Sequence, residues 1–205
     1  QVATGQQKIN QQGAASFNLE VTNPHLWDID TPYLYTLKTT LLKGKKAIDQ
    51  TTTKVGIRTI DVSKEYGFRL NGKSLKFKGV CLHHDLGALG AALNKTAVIR
   101  QIEMMKKMGV NAIRTSHNMP SQMQMDVCDS LGMMVMAESF DAWKDLKVKN
   151  GYGRIYDEWW RKDLENLIKG HRNHPSIVMW SIGNEIPEQS NKAGAARAKA
   201  MTEYC

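Results

Sequence analysis

Ile177-Val178-Met179-Trp180-Ser181-Ile182-Gly183-Asn184-Glu185 is an apolar run that stops at a glycine, an amide and a carboxylate. A continuous run of β-branched and aromatic residues predicts a strand buried on both faces, as in a parallel sheet. Residues at the carboxyl end of such a strand are the ones presented to ligands, which makes Asn184 and Glu185 candidate functional residues. The alternative, frequent for a single Glu after a strand, is that Glu185 caps the next segment or forms a surface ion pair.

Three units of helix followed by strand lead up to this stretch, and one further strand precedes them. Each predicted helix has a capping residue at its start and a glycine near its end. The cap and glycine pairs are Thr96 with Gly109, Ser121 with Gly132, and Asp157 with Gly170. The predicted strands are residues 76–81, 112–116 and 133–137 and the strand that opens at Ile177.

Four strands alternating with three helices predict an α/β fold with parallel strands, because strand-helix-strand crossovers are right-handed. A doubly wound sheet and a barrel both have this pattern. No glycine-rich fingerprint follows the first strand, so the main argument for a nucleotide-binding site is absent.

Polar side chains follow the ends of all four predicted strands. In a parallel arrangement they share one rim, the carboxyl rim that carries the active site in (β/α)₈ barrels. A His taken alone is more often a hydrogen-bonded structural group than a ligand, but the joint pattern favours a site. The residues are His83 after the first strand, His117 and Asn118 after the second, Glu138 and Asp141 after the third, and Asn184 and Glu185 after the fourth.

The amino-terminal part, up to about residue 62, has the alternating pattern of β structure. Strands are predicted over residues 16–21, 34–43 and 47–62, with a turn at Gly44-Lys45. These are three or four strands of the about seven that an immunoglobulin-like β-sandwich needs, so we expect its first strands to be missing. Asn71-Gly72 predicts a hairpin turn just beyond. We therefore divide the chain into residues 1–65 and 66–205.

Composition narrows the class of protein. The chain has 205 residues, 41% of them hydrophobic, and a formal net charge of +8. Its Lys and Arg are scattered rather than arranged in a stripe with aromatics, which argues against nucleic acid, and no apolar run is long enough to span a membrane. The three cysteines are odd in number, which disfavours disulfides, and none has a partner at zinc spacing, which disfavours a structural metal. Because the chain opens on Gln1, we expect a mature or excised piece, of undecided compartment.

Two stretches carry a family signature. Asn111-Ala112-Ile113-Arg114-Thr115-Ser116-His117-Asn118, and His171-Arg172-Asn173-His174-Pro175-Ser176 running into Trp180-Ser181-Ile182-Gly183-Asn184-Glu185, closely resemble the signatures of glycoside hydrolase family 2. This family contains β-galactosidases, β-glucuronidases and β-mannosidases. Asn71-Gly72-Lys73 and Leu26-Trp27 extend the resemblance over nearly the whole chain. It implies an immunoglobulin-like β domain followed by the first half of a TIM barrel.

The resemblance also implies roles for individual residues. Glu185 matches the general acid/base at the end of strand four, and Asn184 matches the residue that holds the sugar 2-hydroxyl. His83 and His117 match sugar-binding positions in the galactosidase branch. Retaining hydrolysis needs a second carboxyl about 5 Å away as nucleophile. That residue belongs on strand seven, and the sequence stops at Cys205, soon after strand four.

Other rim residues complete the predicted substrate site. Asn118, Glu138 and Asp141 are candidate substrate-binding residues, and Trp143 is a candidate platform on which a sugar ring stacks. We also expect Glu185 to lie at a buried strand end. Ala137-Glu138 stands where the family often has Asp-Glu, and no His closely follows Glu138. A magnesium site of the kind found in some galactosidases is therefore disfavoured, and no metal or other cofactor is expected.

The leading hypothesis is a fragment of a retaining exo-β-glycosidase, most like a β-galactosidase, that acts on a carbohydrate and associates as a homo-oligomer. The 205 residues alone are expected to be inactive, since the nucleophile is missing. One alternative is a carbohydrate-binding scaffold with a degenerate half barrel. A third reading, suggested only by the charge, is a nucleic-acid-binding α/β protein. Neither nucleic acid nor membrane is an expected partner, and the sugar that is cleaved stays open.

Overall fold

The computed structural model describes residues 1–205. None of its helices combines the length and apolar composition needed to cross a membrane. The strands are β1 (Tyr35–Lys43), β2 (Lys46–Val55), β3 (Ile60–Ser63), β4 (Gly67–Leu70), β5 (Lys73–Ser74), β6 (Gly79–His83), β7 (Ala112–Ser116), β8 (Met134–Glu138) and β9 (Ile177–Ser181). The α-helices are α1 (Lys95–Lys107), α2 (Gln122–Leu131), α3 (Tyr156–His171) and α4 (Lys192–Tyr204), and short 3₁₀ helices cover Gly87–Leu89, Tyr152–Arg154 and Pro187–Ser190.

The last four strands form one parallel sheet in the order β6-β7-β8-β9. Neighbours that follow chain order are typical of a barrel, whereas a doubly wound sheet changes direction at a switch point. The structure therefore confirms the predicted α/β fold as the first half of a TIM barrel. His83 pairs with Ser116 and Glu138 with Ser181, so the carboxyl ends of the strands are level.

Helix boundaries follow local capping chemistry. The predicted cap Ser121 is confirmed, since its Oγ accepts from the Gln124 N–H at 3.2 Å. Gly132 ends the same helix with φ +69°, a left-handed conformation that favours glycine. The prediction of Thr96 as a cap is wrong, because the Asn94 side chain accepts from the Ala97 N–H and starts α1 two residues earlier than predicted. Asp157 lies in the first turn of α3 rather than at its cap.

The main core lies between the parallel sheet and its helices. Ile113, Val135 and Ile177 from the strands pack against Ile102 and Leu164 from the helices, and all five are at most 4% exposed. β7 and β8 are almost entirely buried, as expected for parallel strands covered on both faces. The first barrel strand differs from the prediction, because it covers Gly79–His83 instead of residues 76–81.

The amino-terminal region contains less β structure than predicted. β1 and β2 form the expected hairpin across Gly44-Lys45. The prediction of a strand over residues 16–21 is wrong, because no other strand lies alongside to pair with this exposed segment. Residues 47–62, predicted to carry strands, contain most of β2 and the start of β3, and β3 leaves the hairpin to pair with β4. The predicted boundary at residues 65 and 66 falls in the turn between these two paired strands, and Asn71-Gly72 forms the expected turn, with φ of +52° and +77°.

One buried tryptophan joins the amino-terminal region to the half barrel. Trp27 is fully buried and packs with Phe68, Ala112 and Met134, which places it at the amino-terminal ends of β7 and β8. Its Nε1 donates to the backbone oxygen of Asp129 at 2.8 Å. This end of the sheet is therefore closed by packing, and the opposite end carries the polar rim.

Candidate active site

Five of the seven polar residues predicted past the strand ends lie together in one network at the carboxyl rim. His83 and His117 are in edge-on contact, with ring centroids 5.2 Å apart. His117 bonds to Glu138 through Nδ1, at 2.6 Å. Asn184 is linked to Glu138 through Arg114, which donates to both. Because parallel strands end at one edge, residues as distant in sequence as Arg114 and Asn184, which are 70 positions apart, form a hydrogen bond here.

Glu138 is the buried centre of this network. Its side chain has no exposed surface, and one oxygen faces His117 while Oε2 accepts from Arg114 Nε at 2.7 Å and from Ser181 Oγ at 2.7 Å. A buried carboxylate needs a charged partner and hydrogen bonds to be tolerated. Burial would lower the pKa of Arg114, but hydrogen bonds to Cys81 and Glu138 and the charge of Glu138 raise it. Arg114 therefore stays charged beside Glu138.

Asn184 is held by the protein at all of its polar groups. Its side-chain oxygen accepts from Arg114 at 2.9 Å and its side-chain nitrogen donates to Asp141 at 3.0 Å. Its backbone N–H donates to the Phe140 carbonyl at 2.9 Å, and its carbonyl accepts from Lys147 Nζ at 2.8 Å. A primary amide can make four side-chain hydrogen bonds, so one N–H and one lone pair remain for a ligand.

Glu185 differs from the other carboxylates of the rim. It is exposed, and no donor or cation of the structure contacts its carboxylate. The expectation that it lies at a buried strand end is wrong, because β9 ends four residues earlier and Glu185 sits in a turn with φ +42°. The alternatives are not seen either: the following 3₁₀ helix is capped by Ile186 without a side-chain bond, and Asn191 caps α4. Glu185 is thus a free carboxylate beside a rigid amide.

Asp141 and Trp143 lie in the loop that follows β8. The hydrogen bond from Asn184, together with Lys147 at 3.1 Å, lowers the pKa of Asp141. Trp143 is only 5% exposed, and its Nε1 donates to the Ile182 carbonyl at 2.6 Å. This corrects the prediction of Trp143 as a stacking platform, since a buried ring offers no open face to a sugar.

Asn118 is placed beside the network rather than in it. It is exposed and lines a small cleft together with His83 and His84. Among the predicted residues, the structure thus brings His83, His117, Glu138, Asp141 and Asn184 together, with Asn118 and Glu185 exposed at the edge.

Three residues of the site were missed by sequence reasoning. Arg114 had a usable signal, because an arginine within a strand of otherwise buried residues needs an anionic partner. Ser181 ends β9, and apart from this position nothing in the sequence signals that it belongs to the site. Lys147 lies in a lysine-rich loop, where nothing in the sequence separates it from Lys144 or Lys149.

A separate group of ionisable side chains lies away from the rim. Asp126, Asp129 and His174 have potential metal-ligand atoms within 4.8 Å of one another. Both oxygens of Asp129 are already bonded, one to His174 Nδ1 at 2.6 Å and one to the Ser176 N–H at 3.0 Å. The hydrogen bonds of Asp129 thus connect α2 to the segment that precedes β9.

Two family profiles together match almost the whole chain. The family profile described as "Glycosyl hydrolases family 2, TIM barrel domain" matches residues 60–205, and the profile "Glycosyl hydrolases family 2" matches residues 1–58. The "Beta-galactosidase BoGH2A" of Bacteroides ovatus is 47% identical over 193 residues, which are 94% of this chain and 23% of that protein. A "Putative beta-glucuronidase" of Formosa agariphila is 45% identical over 185 residues, 90% of this chain and 18% of that protein.

Solved structures agree with the sequence relatives. The crystal structure of a glycosyl hydrolase family 2 member from Bacteroides cellulosilyticus superposes with a TM-score of 0.89 at 45% identity, and the match covers 91% of this chain and 24% of that one. The chain therefore spans about a quarter or less of the length of these relatives.

Proposed function

Because the chain belongs to glycosyl hydrolase family 2, we propose that it carries the acid/base half of the active site of a retaining β-glycosidase. We assign the acid/base role to Glu185 and the 2-hydroxyl contact to Asn184. The observation that carries this assignment is the contrast between the two residues: Asn184 is fixed by four bonds, and the carboxylate next to it is exposed and unpaired. A group that exchanges protons with a substrate and with water must be accessible to both.

In this mechanism Glu185 acts twice. It gives its proton to the glycosidic oxygen while that bond breaks and a second carboxylate bonds to the anomeric carbon. It then takes a proton from the water that attacks the same carbon and releases the second carboxylate. We expect that second carboxylate on the seventh strand of a complete barrel, whereas the sheet of this chain has four strands. Turnover is accordingly expected only of the complete protein.

We propose a neutral sugar, most like a β-galactoside, rather than a uronic acid. A glucuronide brings a carboxylate that needs a free cation or several donors. The two cations of the rim network are both engaged, Arg114 by Glu138 and Lys147 by Asp141. A ring nitrogen remains for hydroxyls, because His117 is bonded to Glu138 through Nδ1 and its Nε2 is free.

The histidine pair supports the same substrate class. With Nδ1 of His117 bonded to Glu138, its Nε2 is left to bond a sugar hydroxyl. His83 stands edge-on to it and lines the cleft that also contains Asn118. Hydroxyl recognition by imidazole and amide groups is the chemistry that a neutral hexose needs.

The test is Glu185→Gln in the complete gene product. We expect hydrolysis of an alkyl β-galactoside to fall by ~10²–10⁴-fold, because its poor leaving group needs the proton. kcat/KM for a dinitrophenyl β-galactoside should change little, since that leaving group departs unprotonated. Glu158→Gln is the matched control, because Glu158 is an exposed residue of α3 that pairs only with Lys162. Equal losses on both substrates would assign Glu185 a structural role.

A further inference from the structure

The loop after β8, residues 139–147, bonds to the backbone on the amino-terminal side of Glu185. The Asn184 N–H donates to the Phe140 carbonyl, at 2.9 Å. Trp143 Nε1 donates to the Ile182 carbonyl at 2.6 Å, and Lys147 Nζ donates to the Asn184 carbonyl at 2.8 Å. The backbone leading to Glu185 is therefore held by one neighbouring loop at two residues, Ile182 and Asn184.

This loop is itself anchored from the other side of the turn. Glu188 is 1% exposed, and its Oε1 accepts from the Asp145 N–H at 2.8 Å. Lys147 also bonds to Asp141 at 3.1 Å, which closes the loop on itself. The loop and the segment around Glu185 thus support each other through backbone and side-chain contacts on both sides.

The backbone at Glu185 needs such support. Its φ of +42° lies in the left-handed region, which a residue with a side chain rarely adopts without surrounding contacts. The peptide group between Asn184 and Glu185 is held at its oxygen by Lys147 alone. Rotation of this peptide would turn Glu185 away from its present orientation, and the hydrogen bond from Lys147 opposes that rotation.

We propose that Lys147 is a positioning residue for the acid/base Glu185, an inference that rests on the proposed function. Lys147 acts on Glu185 through its hydrogen bond to the Asn184 carbonyl, and its ammonium group also forms an ion pair with Asp141. Its removal leaves Glu185 chemically intact but released from the geometry in which it meets the glycosidic oxygen. The loss then falls on the step that needs the proton.

The experiment compares Lys147→Met with wild type in the complete gene product, on the alkyl and dinitrophenyl β-galactosides. We expect kcat on the alkyl substrate to fall by roughly 10–10²-fold, the scale of a small misplacement of a catalytic group. KM and the dinitrophenyl kcat/KM should change little. Lys147→Arg, which keeps a cationic donor, should restore most of the alkyl activity. Lys144→Met is the matched control, since Lys144 lies on the same loop and pairs with Asp157 at the surface.

The outcomes separate the two proposals. Equal loss on both substrates, or no rescue by Lys147→Arg, overturns the positioning role while the wild-type activity still supports the proposed function. A wild-type protein that hydrolyses neither substrate overturns both. Thermal unfolding checks that each variant is folded. If Lys147→Met does not fold, Lys147→Gln, which keeps an N–H donor without the charge, is judged by the same comparison.

Discussion

Replacing Glu138 by Gln tests the rim network at its centre. The side chain has no exposed surface, and its two oxygens accept from Arg114, Ser181 and His117. Gln keeps the size but brings an amide with two N–H groups. That nitrogen is tolerated only opposite His117, whose Nδ1 can accept if the ring changes tautomer. The substitution therefore removes the anionic partner of the partly exposed Arg114 and reverses the donor pattern of His117.

The expected cost follows from the burial of the pair. Breaking a buried ion pair by removing one partner costs ~3–5 kcal/mol. The Arg114 side chain is 27% exposed and keeps its bond to Asn184, which favours the lower end of that range. About 3 kcal/mol corresponds to a change of roughly 150-fold in the ratio of folded to unfolded protein.

Urea denaturation of the complete gene product, followed by tryptophan fluorescence, measures this cost. With slopes of ~2 kcal/mol per molar, the midpoint of the transition that includes the barrel should fall by roughly 1.5 M at unchanged slope. Glu158→Gln, which alters an exposed pair with Lys162, should leave the midpoint in place. A Glu138→Gln midpoint equal to that of the control would refute the reasoning, because Arg114 would then not depend on Glu138.

Two further predictions concern stability. Trp27→Phe keeps an aromatic ring but removes part of a fully buried side chain and the Nε1 donor to the backbone oxygen of Asp129, so we expect a loss of at least about 1–2 kcal/mol in the same urea assay. An unchanged midpoint would contradict it. Burial, reinforced by His174, lowers the pKa of His171 from its ordinary 6.5. Above pH 6.5 the imidazole is neutral in both states, and as pH falls only the unfolded chain binds the proton, so stability declines in acid. His171→Gln should flatten this decline in melting temperatures measured between pH 7.5 and 5.5, and a slope equal to that of wild type would exclude His171 as its source.

The grouping of the site was predictable because it depends on topology alone. Parallel strands in chain order place their carboxyl ends at one edge, so any residue that directly follows a strand lies at the rim. His83, His117 and Glu138 needed only correct strand ends. Even the error of two residues in the first strand did not matter, because His83 ends β6 in the structure.

Other features depend on contacts that a linear pattern does not contain. Nothing in the sequence distinguishes a tryptophan that packs under a turn from one that faces a sugar, and Trp143 does the former. Lys147 reaches a carbonyl 37 positions away with a flexible side chain. Residues 16–21 alternate as a strand does, but a strand forms only beside a partner, and none is present.

The charges of the rim support the proposed assignment of the acid/base role to Glu185 rather than to Glu138. Three carboxylates and two cations meet here. Arg114 is paired with Glu138, and Lys147 with Asp141, so each cation has one carboxylate partner. Glu185 is left without a cation or a donor, although it follows a residue fixed by that same pair of cations. Glu138 is enclosed by its partners, whereas Glu185 is exposed and unpaired, and a group that exchanges protons with a substrate and with water must be accessible to both.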